Sequence, residues 1–304
     1  MNRLTSAVLG LAVMLLGGAV SRADGIDAQL VPLGSLIGTI ARARTVTASA
    51  YTLSPRSRMG RALVAAARGG ASATLVLDGE GLAGATRSNQ KSAPVFAAAG
   101  VRVRLTDDKL HMKAVVVDGS RVFVSDRNWT VSRDSLILAL PATTRIQVER
   151  AILGQPTSNG TFATRKSDAL ALEASLLAQR RSRIVLVETE SFSISAVSTI
   201  LEQRARAGDD VTLVVAASES RTSSRERAEL AALARARVHV FAGSSNEKIA
   251  VDGNAGWIGS TNQAPDWGDQ VDWGLVFGNP ALVAALAQHV RDDAARATPL
   301  QQMR

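Results

Sequence analysis

The 304-residue chain contains no cysteine, which excludes disulfide frameworks, zinc ribbons, iron–sulfur clusters and a cysteine nucleophile. Its three histidines, His111, His239 and His289, stand far apart, so neither a histidine metal site nor any cofactor is expected. Aromatic residues make up only 4%, too few for a stacking platform that holds single-stranded nucleic acid. Beyond the first two dozen residues no apolar run is long enough to cross a bilayer. Negative charge is also short: 27 Asp and Glu stand against 35 Lys and Arg, and the net charge of +8 favours anionic partners such as phosphodiesters, nucleic acid or lipid head groups. With 46% hydrophobic and 20% charged residues, the chain is expected to bury a core rather than remain disordered.

The N-terminus carries Arg3, an apolar run from Leu4 to Val20, and small residues at Ser21 and Ala23 before Asp24-Gly25. That order reads as a secretory signal over residues 1–23, and hence as a periplasmic or secreted protein. Removing Arg3 and Arg22 takes the charge from +8 to +6, so the mature chain stays basic.

The remainder is one unit written twice. Leu33 to Arg44, Arg61 to Arg68, Ala169 to Arg181 and Ile194 to Ala207 have helical periodicity. Between them Val46 to Leu53, Ala73 to Leu77, Ile184 to Glu190 and Val211 to Val215 read as strands, an α/β alternation. Each copy then runs through a short apolar strand into an Asp-Gly turn. The turns, Asp118-Gly119 and Asp252-Gly253, stand 134 residues apart (252 minus 118). The expected organisation is a first lobe over 24–154, a linker over 155–165 centred on QPTSNGT, and a second lobe over 166–304. Two such lobes place a site where their equivalent edges meet.

The most informative segment is HMKAVVVDGSRVFVSDRNWT, His111 to Thr130. Alternation along a strand puts His111 and Lys113 on one face, whereas Asp118 has the opposite parity and suits the turn. A returning strand, Arg121 to Val124, brings Ser125 and Asn128 toward His111, and this gathering of imidazole, ammonium, amide and hydroxyl makes an anion site.

With the duplication, these residues resemble the phospholipase D superfamily, whose signature is H-x-K-x4-D followed by G-S-x-N. The resemblance implies a duplicated α/β fold of two similar mixed-sheet lobes flanked by helices. It also implies phosphodiester cleavage with no metal: one histidine attacks phosphorus and a second, from the other copy, protonates the leaving oxygen. Carried onto this chain, it makes His111, Lys113, Asp118 and Asp134 catalytic, with Asp134 orienting His111. Asn128, Lys248, Ser260 and Asn262 then hold the phosphate.

The second copy, SSNEKIAVDGNAGWIGSTNQAP, departs from the pattern. Counted back from Asp252 without a gap, Ser245 and Glu247 take the histidine and lysine positions; with one residue deleted, Asn246 and Lys248 do. No histidine appears in either register. In the first copy Asp126 stands where the family has serine, putting a carboxylate near an incoming phosphate.

The function expected is an exported phosphodiesterase working through a phosphohistidine, monomeric, with a phospholipid favoured over nucleic acid and peripheral contact with a membrane. The alternatives are an impaired pseudoenzyme that binds an anionic phosphodiester or a protein partner, and a metal-independent nuclease. The lipid preference rests on Trp129 and Trp267, expected in loops rimming the cleft where they meet a quaternary ammonium or a lipid surface; Trp257 and Trp273 are expected in the core. Gly79-Glu80-Gly81-Leu82-Ala83-Gly84 has dinucleotide-loop spacing, but the next helix is expected only near Pro94, which argues against that use.

Overall fold

A computed structural model describes residues 25–300 except 82, 130–134, 194, 218–223, 245–246 and 264–267. The signal segment, Asp134, Asn246 and Trp267 therefore lie outside the described residues.

The first lobe contains β1 (Gln29–Leu30), α1 (Leu33–Ala41), β2 (Thr45–Ala50), α2 (Arg58–Arg68), β3 (Ser72–Asp78), α3 (Ala83–Ala98), β4 (Arg102–Thr106), β5 (Lys113–Val117), β6 (Arg121–Ser125), β7 (Ile137–Leu140) and α4 (Arg145–Ile152). The second contains β8 (Phe162–Arg165), α5 (Lys166–Ala178), β9 (Ile184–Thr189), α6 (Ala196–Arg206), β10 (Asp210–Ala216), α7 (Ser224–Arg235), β11 (His239–Gly243), β12 (Ile249–Asp252), β13 (Ala255–Gly259), β14 (Val271–Phe277), α8 (Pro280–Arg296) and β15 (Thr298–Pro299). Their sheets run β1-β7-β6-β5-β2-β3-β4 and β15-β11-β10-β9-β12-β13-β14-β8. In each, a parallel trio (β2-β3-β4; β9-β10-β11) adjoins an antiparallel set that includes the motif hairpin.

Apolar side chains on both faces of a strand require cover on both faces. Val46, Leu75 and Leu77 pack with Leu36, Ile40 and Leu63 on the outer side of the first sheet. Val187, Leu213 and Val215 pack with Leu176, Leu177 and Leu201 on the outer side of the second. Between the sheets, α4 (Val148, Ile152) and α8 (Leu286, Val290) share one core with Met112 and Val116 from one sheet and Ile249 and Trp273 from the other. The motif strands thus lie beside the layer that joins the lobes. The expected linker is partly sheet, because Phe162–Arg165 pairs with β14.

The G-x-G-x-x-G stretch does open a helix, against expectation. The weakly amphipathic α3 starts at Ala83 and carries Pro94 in its interior. A phosphate is nonetheless shut out, since the Asp78 carboxylate already accepts the Gly81 N–H at 2.5 Å, and a Cβ on Gly81 would strike Asp78 and Tyr51.

Candidate active site

His111 is fixed from three sides. Asp78 at the end of β3 accepts the Leu110 N–H at 2.8 Å. The N–H groups of His111 and Met112 both donate to the Val271 carbonyl, at 2.8 and 3.0 Å, while the Val271 N–H donates to the Lys109 carbonyl at 2.9 Å. The histidine of the first copy is therefore stitched by its own backbone to β14 of the second, and the Tyr51 ring meets its imidazole edge-on, centroids 5.3 Å apart.

The same seam delivers the carboxylate. Asp272, next to Val271 and fully buried, lies with Oδ2 3.1 Å from His111 Nδ1. Asp272 also accepts from Trp273 N–H at 3.1 Å, Gln270 Nε2 at 3.0 Å and the Ser260 hydroxyl. Burial alone would raise its pKa, but His111, then Lys113 and the Ser260 hydroxyl, hold it well below the usual carboxylate range. An ionised carboxylate only accepts, so Nδ1 carries the proton and Nε2 presents a lone pair. Burial, followed by the Lys113 charge, lowers the His111 pKa despite Asp272, keeping the ring neutral. Nε2 faces Lys113 Nζ at 2.9 Å. Burial pushes the Lys113 ammonium down to about 7, with Asp272 pulling the other way.

The orienting carboxylate thus comes from the opposite copy. Asp272 fills the position facing His111 that the sequence assigned to Asp134, and Asp134 is outside the described residues.

The strand registers settle which residues of the second copy correspond. Lys113 pairs with Ser125, and Lys248 lies opposite Gly259, whose N–H donates to the Lys248 carbonyl. From Lys113 to Lys248 the offset is 135 residues; from Ser125 to Gly259 it is 134. The missing residue lies in the turn: Val117 and Arg121 flank three residues, whereas Asp252 and Ala255 flank only Gly253 and Asn254. Lys248 therefore takes the lysine position and Glu247 matches Met112; Asn246, outside the described residues, stands two before Lys248 in the chain, as His111 stands two before Lys113.

The two turn aspartates are not in the site. Asp118, with φ 50°, accepts from the Arg44 and Thr45 N–H groups at 2.8 and 3.0 Å and pairs with Arg121, all at the far end of β5 from His111. This corrects its assignment as catalytic: it closes the turn. Asp252, fully buried, accepts from Arg181 N–H, Ser182 N–H and Arg204, a structural hub.

Other placements are mixed. The Asn128 side-chain Oδ1 accepts Thr52 N–H at 3.3 Å, and Asn262 is half-buried, its side-chain Oδ1 without a hydrogen bond among the described residues. Ser260, read from the sequence as a phosphate ligand, is fully buried and tied to Asp272, so it braces that carboxylate. Lys248 Nζ donates to Glu190 at 2.9 Å. Burial would raise the Glu190 pKa, but Lys248, then Lys113, brings it down to about 2.

Asp126 is buried, with Oδ1 accepting Leu136 N–H at 2.9 Å; burial, then the Glu247 charge, pushes its pKa up to about 7. Trp129 does not rim a cleft: it is buried, its Nε1 donating to the Ser49 carbonyl at 3.0 Å. Trp257 and Trp273 are core residues as expected. Sequence reasoning missed Tyr51, Asp78 and Glu190, which reach the site from the ends of the central strands; their positions just past apolar runs were the available signal.

Residues 36–136 match a family model described as "Cardiolipin synthase, PLD-like domain". Among solved structures, phosphatidylserine synthase from Haemophilus influenzae superposes with a TM-score of 0.65 at 10% identity, over 90% of this chain and 87% of its own. Polyphosphate kinase from Porphyromonas gingivalis gives 0.63 at 13% identity over 90% of this chain, which spans half of that kinase's length. Comparison with curated protein sequences finds no match. The first lobe thus matches a phospholipase D-like domain, and the fold of the chain is similar to that of these two solved structures.

Proposed function

We propose that the protein is a phospholipase D-like phosphodiesterase in which His111 Nε2 attacks phosphorus. The observation that carries this reading is the line Asp272–His111–Lys113, 3.1 and 2.9 Å at its two joints, which gives a neutral imidazole a fixed tautomer beside a cation. In the first step a phosphorus–nitrogen bond forms as the phosphorus–oxygen bond to the leaving group breaks. Asp272 stabilises the positive charge developing on the imidazole, while Lys113 turns from Nε2 to the phosphoryl oxygens, with Asn128 and Asn262 near the same charge. Water then attacks phosphorus, the phosphorus–nitrogen bond breaks and the imidazole is restored.

The second half supplies little acid. Asn246 has no proton of suitable pKa, and Glu190, held to about 2, is ionised at neutral pH. The leaving oxygen takes its proton from water, and turnover favours good leaving groups. For the substrate, the name of the matched model supports a phospholipid over nucleic acid. The aromatic argument no longer includes Trp129. Export rests on residues 1–23, and among the described residues no helix is long and apolar enough to cross a membrane.

One observation favours a second reading, anion binding without turnover: Lys248, a phosphate ligand in the family pattern, is engaged by Glu190. Assay of the purified protein and of His111→Ala against a bis(nitrophenyl) phosphodiester, with and without excess EDTA, distinguishes the two. Release of nitrophenolate by the native protein alone supports catalysis; none from either protein supports binding. Equal release by both removes His111 from the mechanism.

A further inference from the structure

Away from His111, and on the inner face of the second sheet, lies a group of side chains that the proposed chemistry does not use. Glu188 of β9, Glu247, and His289 and Asp293 of α8 each offer a ligand atom, and these atoms all lie within 4.8 Å of one another. His289 Nε2 is 3.9 Å from Glu188, 3.9 Å from Glu247 and 3.6 Å from Asp293. The three carboxylates are buried, while the His289 side chain is 23% exposed, which leaves a way in.

We propose that Glu188, Glu247, His289 and Asp293 bind one first-row divalent cation, Mn²⁺ or Zn²⁺, that braces the lobe junction behind the candidate active site. One imidazole with three carboxylates is a mixed nitrogen and oxygen set, suited to these ions better than to calcium or magnesium. Donors about 2.0–2.2 Å from an ion stand at most about 4.4 Å apart, so closing the site needs side-chain movement of a few tenths of an ångström.

Two independent observations point the same way. First, the fold does not require these acids. In the first copy the strand registers put Met112 at the place of Glu247 and Ser49 at that of Glu188, so the equivalent positions there carry no carboxylate. Second, the other lobe directs a further carboxylate here. Asp126 is fully buried, and the Arg127 guanidinium reaches both it, at 3.9 Å, and Glu247, at 2.6 Å. The Asp126 Oδ2 has no hydrogen bond among the described residues. Arg127 lies on Glu247 and Arg296 on Asp293, so cations already approach this group from both lobes.

This proposal is independent of the phosphodiesterase reading, because its readouts are binding and stability. The full mature chain, stripped with chelator and dialysed, is titrated with Mn²⁺ and then Zn²⁺ by calorimetry, and its unfolding temperature is followed at hundredfold excess over Kd. One equivalent should bind, and the unfolding temperature should rise by several degrees. His289→Ala and Glu188→Gln should each weaken binding at least tenfold, whereas His239→Ala, on an exposed strand end, should leave it unchanged. His289 reaches solvent, so its alanine variant decides the matter if Glu188→Gln does not fold. Absence of saturable binding by either ion, or the same affinity in wild type and His289→Ala, overturns the proposal.

Discussion

Replacing Asp272 by Asn is the most informative single change, because it alters one charge and almost no volume at a buried position. In the native site the carboxylate accepts the Nδ1 proton at 3.1 Å, leaving Nε2 free for attack. An asparagine amide can instead donate to Nδ1, favouring the tautomer whose proton sits on Nε2, where no nucleophile remains. In the Ser-His-Asp triad the corresponding change costs about 10⁴-fold in kcat. Here the loss should be smaller, because Lys113 at 2.9 Å also donates to Nε2 and so favours the productive tautomer. A loss of about 10²- to 10³-fold, roughly 3–4 kcal/mol, is the expected result. The substitution should also flatten the acid limb of stability. The Asp272 pKa is depressed in the folded state, so its contribution is complete above the unfolded value of about 3.9 and is lost as pH falls below it. Steady-state kinetics with a nitrophenyl phosphodiester at pH 7.5, beside urea melts at pH 3 to 7, measure both. Turnover within threefold of wild type in a folded Asp272→Asn protein refutes the reasoning.

Lys113, held to about 7, should give kcat/KM an alkaline limb near that value, since only the ammonium grips the phosphoryl oxygens; Lys113→Arg should abolish the limb, and an unchanged pH profile would count against it. Asn246→His needs no inserted residue, because the deletion lies in the turn at Gly253-Asn254, and it should restore part of a roughly 10²- to 10⁴-fold acid effect on alkyl esters with little gain on nitrophenyl esters. Burial pushes the Glu173 carboxyl up to about 8, so it stays protonated in the fold while the unfolded chain ionises above about 4.3; stability should fall between those two pH values. Glu173→Gln should remove that slope and stabilise the protein at pH 8 by an amount on the order of a few kcal/mol, which thermal melts across pH would read.

The alternation that puts His111 and Lys113 on one side was legible, because period two is a local property of the chain. So was the duplication, carried by matching strands and turns. The Asp272 contact was not, since it spans 161 residues and exists only once β14 is laid against the segment ending in His111. The resemblance gave that role to Asp134, which lies outside the described residues, whereas the carboxylate seen on His111 comes from the opposing lobe. The second-copy register was ambiguous for a similar reason: turn aspartates align at 134 residues, yet Asp118 lies beyond its strand and Asp252 within one. Trp129 looked like a loop aromatic, but its indole N–H is satisfied inside the first lobe by Ser49, a partner 80 residues earlier. The helix over Ala83–Ala98 was hidden by its weak amphipathicity and by Pro94, a residue that more often starts a helix than sits within one.

The central claim is that His111 forms a covalent bond to phosphorus. The measurement that tests it most directly is to mix the enzyme with a phosphodiester labelled in the phosphoryl group, quench in alkali within one turnover, and map the label by mass spectrometry. The account predicts an alkali-stable, acid-labile phosphoryl adduct on the peptide containing His111, absent from His111→Ala. Turnover by a folded His111→Ala protein, or a labelled peptide elsewhere in the chain, would contradict it.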